Sequence, residues 1–173
     1  MHKISPISQN RNGGVVMIQL TQKEKSLLED QKKHEQICIE KYTNYANQTQ
    51  SPQLKQLLQS YAAQEQNHYD TINQILSGQV PNLNQGQQQG MTSSNAAQSA
   101  TNMQGAMADQ SDASRLNDLL MTEKYVSSTY DTAIFEFTDS NVRQALNHIQ
   151  KEEQQHGEGI FNYMQSHGMY NPS

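Results

Sequence analysis

The chain repeats itself. Its two halves align without a gap at an offset of 88 residues, so that Leu28 matches Leu116, Asp30 matches Asp118, Glu35 matches Glu123 and Tyr42 matches Tyr130. "LKQLL" at 54–58 matches "VRQAL" at 142–146, and Glu65 and His68 of "EQNH" match Glu153 and His156 of "EQQH". At 173 residues the chain has the size of one domain with a sizeable core. A duplicated unit in one domain implies two like pieces packed face to face.

Each unit reads as a helical hairpin. Thr21 and Glu24 have the spacing of a capping box, and Leu28, Glu35, Cys38, Tyr42, Tyr45 and Ala46 keep a helical period, which predicts a helix over 21–48. Ser51 suits an N-cap and Pro52 a first helical position, opening a second helix over 52–77 that Gly78 stops. The third and fourth helices are expected over 112–137 and 140–166, separated by "TDSN"; Gly157 and Gly159 weaken the last one without breaking its period. Short turns make each pair antiparallel. Residues 79–111 are rich in Gln, Asn, Ser, Ala and Gly and read as a linker by composition. A helix of about 26 residues is roughly 39 Å long. An extended chain spans that in about 12 residues, so the linker can cross the whole bundle and set helix three parallel to helix two. Residues 1–20 read as a disordered tail, 21–166 as the bundle and 167–173 as a C-terminal tail. Gly13–Gly14 is encodable as a ribosome-binding sequence just ahead of Met17, which makes Met17 the expected start and 1–16 an extension.

The apolar stripe of every helix carries one glutamate. Leu28 and Tyr42, Leu58 and Ile72, Leu116 and Tyr130, and Leu146 and Ile160 stand seven residues either side of Glu35, Glu65, Glu123 and Glu153 respectively. Turning a glutamate to solvent would expose those neighbours. His68 and His156 lie three residues after a glutamate, on the same face. Four carboxylates and two imidazoles are therefore expected at one level of the core, where an empty, ionised cluster is costly. Two divalent cations would neutralise it. The pattern is that of four-helix carboxylate proteins, with Glu from two helices and Glu-x-x-His from the other two. Imidazole with carboxylate suits Fe or Mn. The expected metal ligands are Glu35, Glu65, His68, Glu123, Glu153 and His156, with either Glu65 and Glu153 or Glu35 and Glu123 shared between the ions.

Tyr42 and Tyr130 read as core packing whose hydroxyls need partners, with ligand carboxylates as candidates. Gln64 and Glu152 precede ligand glutamates and could orient the histidines, although surface exposure is the simpler reading. His34 and His148 read as surface residues, and Cys38 as a small core residue. With one cysteine there is no intramolecular disulfide. The net charge of −5 and the lack of a basic stripe argue against a nucleic-acid partner. No apolar run reaches about 18 residues, so no membrane span is expected.

These six residues resemble the ligand set of the ferritin-like superfamily of dimetal carboxylate proteins, over about 21–166. More narrowly, "LLMTEKYVSSTY", the "EEQQHGEGIFNYMQSHGMY" end and the Gln- and Tyr-rich composition resemble the Coat F domain of bacterial endospore coat proteins. The resemblance implies a ferritin-like bundle, synthesised in the mother-cell cytoplasm, that joins the spore coat with other coat proteins or copies of itself as partners. The complete ligand set suggests a rival function: a di-iron or di-manganese oxidoreductase that consumes peroxide or oxidises iron. A single cysteine excludes a rubrerythrin-type Cys-rich iron site.

Overall fold

The computed structural model describes residues 17–79, 81 and 110–170. They form four helices, α1 (Gln22–Gln48), α2 (Pro52–Leu76), α3 (Gln110–Glu136) and α4 (Ser140–Ser166). The fold is an all-α, ferritin-like four-helix bundle of two antiparallel hairpins. Most of the 79–111 linker lies outside the described residues, as do 1–16; α3 starts at Gln110, inside the stretch read as linker.

The helix ends follow their local chemistry. Thr21 caps α1 in a complete capping box, the Ser51 hydroxyl accepts from Leu54 N–H with Pro52 opening α2, and Gly78 stops α2 at φ +84°. Asp139 caps α4, its carboxylate accepting from the N–H groups of Asn141 and Val142. Residues 17–20, grouped with the tail above, lie against the bundle: Ile18 N–H donates to the Gly78 carbonyl at 2.7 Å, and Ile18 and Leu20 pack on the core.

Contacts between hairpins give the topology. Thr49 pairs with Asp112, Lys41 with Asp118, Gln31 with Thr129 and Lys23 with Glu136, so α1 runs antiparallel to α3. Since α2 is also antiparallel to α1, α2 and α3 run parallel, as the crossover length allows. Ser51–Tyr163 and His68–Glu152 set α2 antiparallel to α4.

The core repeats every third or fourth residue. On α1 the buried set is Glu24, Leu28, Gln31, Glu35, Cys38, Tyr42 and Ala46. Leu28, Leu58, Ile72, Leu116, Leu146 and Ile160 are at most 1% exposed. Each such burial is favourable by about 1.5–3 kcal/mol, and together they hold the glutamates between them out of water.

Candidate metal centre

Glu35, Glu65, Glu123 and Glu153 are 0–2% exposed, and His68 and His156 are 3% and 1% exposed. Two overlapping sets converge: Glu35, Glu65, His68 and Glu153, and Glu65, Glu123, Glu153 and His156, with the donor atoms of each set within 4.8 Å of one another. All six expected residues come together. Glu65 and Glu153, the glutamates of the two Glu-x-x-His pairs, are common to both sets, an assignment that spacing left open.

Both imidazoles turn Nδ1 inward. His68 Nδ1 lies 3.0 Å from Glu153, 3.3 Å from Glu65 and 3.5 Å from Glu35. His156 Nδ1 lies 2.9 Å from Glu65 and 3.9 Å from Glu123 and Glu153. The outward Nε2 atoms meet Glu152 at 2.8 Å and Gln64 Oε1 at 2.7 Å. Both oxygens act as acceptors, so each Nε2 carries a hydrogen; with a cation bound, each ring would be neutral and would present its Nδ1 lone pair to the cluster. This corrects the surface reading of Gln64 and Glu152: both are half-buried and orient the histidines. His34 is also half-buried, edge-on to Tyr125, while His148 is exposed. Cys38 is a buried core thiol.

Every supporting contact crosses between hairpins. Tyr42 donates to Glu123 and Tyr130 to Glu35, just as His68 reaches Glu152 and His156 reaches Gln64. Residue spacing within one helix could not show this. The signal it did offer was the buried phase of both tyrosines, and the position of Gln64 and Glu152 beside a ligand glutamate.

The electrostatics express the missing compensation. Among the described residues, four buried oxygens, Glu35 Oε2, Glu123 Oε2 and both of Glu153, have no hydrogen-bond partner; Glu153 Oε1 lies near His68 without the alignment of a bond. Burial, opposed by His68, pushes Glu35 up to about 7. Burial together with Glu153 pushes Glu123 up to about 9, and burial raises Glu65 and Glu153. His68 is raised well above the usual range: burial opposes its charge, but Glu152, Glu153, Glu35 and Glu65 outweigh it. Burial pushes His156, backed by a neutral amide, down to about 4. Protons thus take up part of the charge when no cation is present. Orphaned carboxylate oxygens with inward imidazole nitrogens are a donor set that Fe or Mn takes, so the residues fit a metal.

Residues 111–173 match the Coat F domain. The chain is also similar in structure to wild-type KatB, a manganese catalase from Anabaena, at a TM-score of 0.65 and 19% sequence identity, over 98% of this chain and 84% of that one. That likeness supports the fold. No curated protein matches the sequence significantly. The fold and site define a ferritin-like four-helix bundle with a buried carboxylate–imidazole cluster. Its second hairpin and C-terminal end are the part that matches the Coat F domain.

Proposed function

We propose that this protein is a spore coat-associated ferritin-like protein that holds two Fe or Mn ions. One ion would be held by Glu35, Glu65, His68 and Glu153, the other by Glu65, Glu123, Glu153 and His156. The observation that carries the reading is the set of partnerless, fully buried carboxylate oxygens facing two inward imidazole nitrogens. The Coat F match supports assembly into the spore coat after synthesis in the mother cell, with other coat proteins or further copies of this chain as partners. Among the described residues no helix is long and apolar enough to cross a membrane.

A second reading, a peroxide-consuming oxidoreductase, is favoured by a structural neighbour that is itself a manganese catalase. Bound Fe or Mn would supply redox cycling and open coordination positions. Around them, this chain keeps the cluster buried, orients both imidazoles through Glu152 and Gln64, and supplies hydroxyl donors from Tyr42 and Tyr130 to Glu123 and Glu35. The test is to load the protein with Fe or Mn and follow peroxide consumption alongside incorporation into spores. His68→Ala should lose metal and peroxide consumption while still reaching the coat. If loaded wild type consumes no peroxide, the scaffold reading stands and the oxidoreductase reading falls. If the chain is missing from coat extracts, the coat reading falls.

A further inference from the structure

The two hairpins are alike in their ligands and unlike beside them. A recess of about 240 Å³ opens on the α3–α4 face, lined by Leu120, Lys124, Ser127, Gln154 and Gly157 together with Glu123 and Glu153, whose partnerless carboxylate oxygens lie buried behind it. At roughly 30 Å³ per liquid water it has room for several small molecules. The equivalent positions of the first hairpin, 88 residues earlier, are Lys32, Gln36, Ile39 and Tyr69. There the place of Gly157 is taken by a half-buried phenol ring, with the Lys32 ammonium 5.5 Å from its centre.

Gly157 has no backbone reason to be glycine, because positive φ occurs only at Gly78 and Gly168 among the described glycines. Nor does packing demand it: a Cβ would meet Leu120 Cδ1 at 3.8 Å and Glu123 Cβ at 3.9 Å, which is ordinary contact. Glycine inside a helix still costs about 1 kcal/mol relative to alanine. What it leaves is space, beside the stem of Glu123 and in a recess that Glu153 also lines. Any side chain larger than alanine would grow into that space.

We propose that the α3–α4 recess is the route by which small uncharged or singly anionic molecules reach the cluster, with Gly157 limiting their size and Lys124 at its rim. The inference rests on the metal-centre reading above. A cation at the rim, where the first hairpin has Gln36, favours anions over cations. Peroxide-sized molecules fit the space.

The experiment uses azide with ferric-loaded protein, following association by absorbance, with metal content measured on the same samples. Leu120→Lys/Gly157→Tyr transplants the pair that already packs in the first hairpin, and azide association should slow at least tenfold at unchanged metal content. Lys124→Glu alters only an exposed side chain; it should slow azide severalfold at low salt, with the difference shrinking at high salt. A metal-replete double variant that binds azide at the wild-type rate overturns the route while leaving the metal centre intact. So does a Lys124→Glu protein indistinguishable from wild type at low salt. Wild type that takes up less than one metal ion per chain overturns the metal-centre reading and this inference with it.

Discussion

Two glycines two positions apart in α4, Gly157 and Gly159, should respond oppositely to the same substitution. Replacing a helix-interior glycine by alanine stabilises by about 1 kcal/mol when the methyl group has room. At Gly157 the new Cβ sits 3.8 Å from Leu120 Cδ1, so the gain should be realised. For a chain of 150–250 residues that is a rise of about 2–4 °C. At Gly159 the Tyr61 hydroxyl occupies the place of the new Cβ, and the ring carbon Cζ lies 3.1 Å from it. Tyr61 must then move off His156, against which its ring packs at 4.4 Å. Overpacking of this kind costs about 1–3 kcal/mol, which cancels or exceeds the helix gain. Thermal melts of metal-free protein should therefore place Gly157→Ala above wild type and Gly159→Ala at or below it. Tyr61→Phe removes the worst overlap, so the Tyr61→Phe/Gly159→Ala pair should show favourable coupling in a double-mutant cycle. Equal stabilisation at both glycines, with no coupling to Tyr61, would refute the packing described around His156.

Two further outcomes follow from polar contacts. Burial alone would raise the Glu24 carboxyl, but hydrogen bonds from the backbone and hydroxyl groups of Thr21 and Thr138 hold it below the usual carboxylate value of 4.5. A depressed folded pKa contributes stability that is complete above the unfolded value and is lost as pH falls through the folded one. Glu24→Gln should accordingly destabilise at neutral pH, with the gap to wild type closing as pH falls through the lowered folded value; a gap independent of pH would contradict the assignment. Glu152→Gln and Gln64→Leu each remove part of the outward support of one histidine, and should weaken metal binding by about 10–100-fold in competition with a chelator. Unchanged affinity in both would show that Nε2 support is dispensable.

Much of this architecture was legible because local and global signals agree. The Thr21 box, Ser51–Pro52 and Gly78 punctuate helices whose apolar phase repeats across the duplication, and matched phase carries the six cluster residues inward. What spacing within a helix cannot convey is which residue of the opposite hairpin it meets. Glu152 and Gln64 sit at the edge of the apolar stripe, where exposure and inward contact look alike in sequence; only the α2–α4 packing brings them onto His68 and His156. The same limit hid which glutamates are common to both sets. The recess beside Gly157 was hidden too, because a glycine reports its cost to the helix but not the space beside it.

The central claim is that the six-residue cluster would hold two metal ions, with Glu65 and Glu153 common to both ligand sets. Its most direct test is metal analysis of protein produced with iron and manganese supplied, paired with melting in the presence and absence of a chelator. Wild type should carry two Fe or Mn ions per chain and melt lower once they are stripped, since binding to the native state adds stability that grows with affinity and ion concentration. Glu65→Ala/Glu153→Ala should carry none and ignore the chelator. Fewer than one ion per wild-type chain, with the same chelator response in both proteins, would contradict the account.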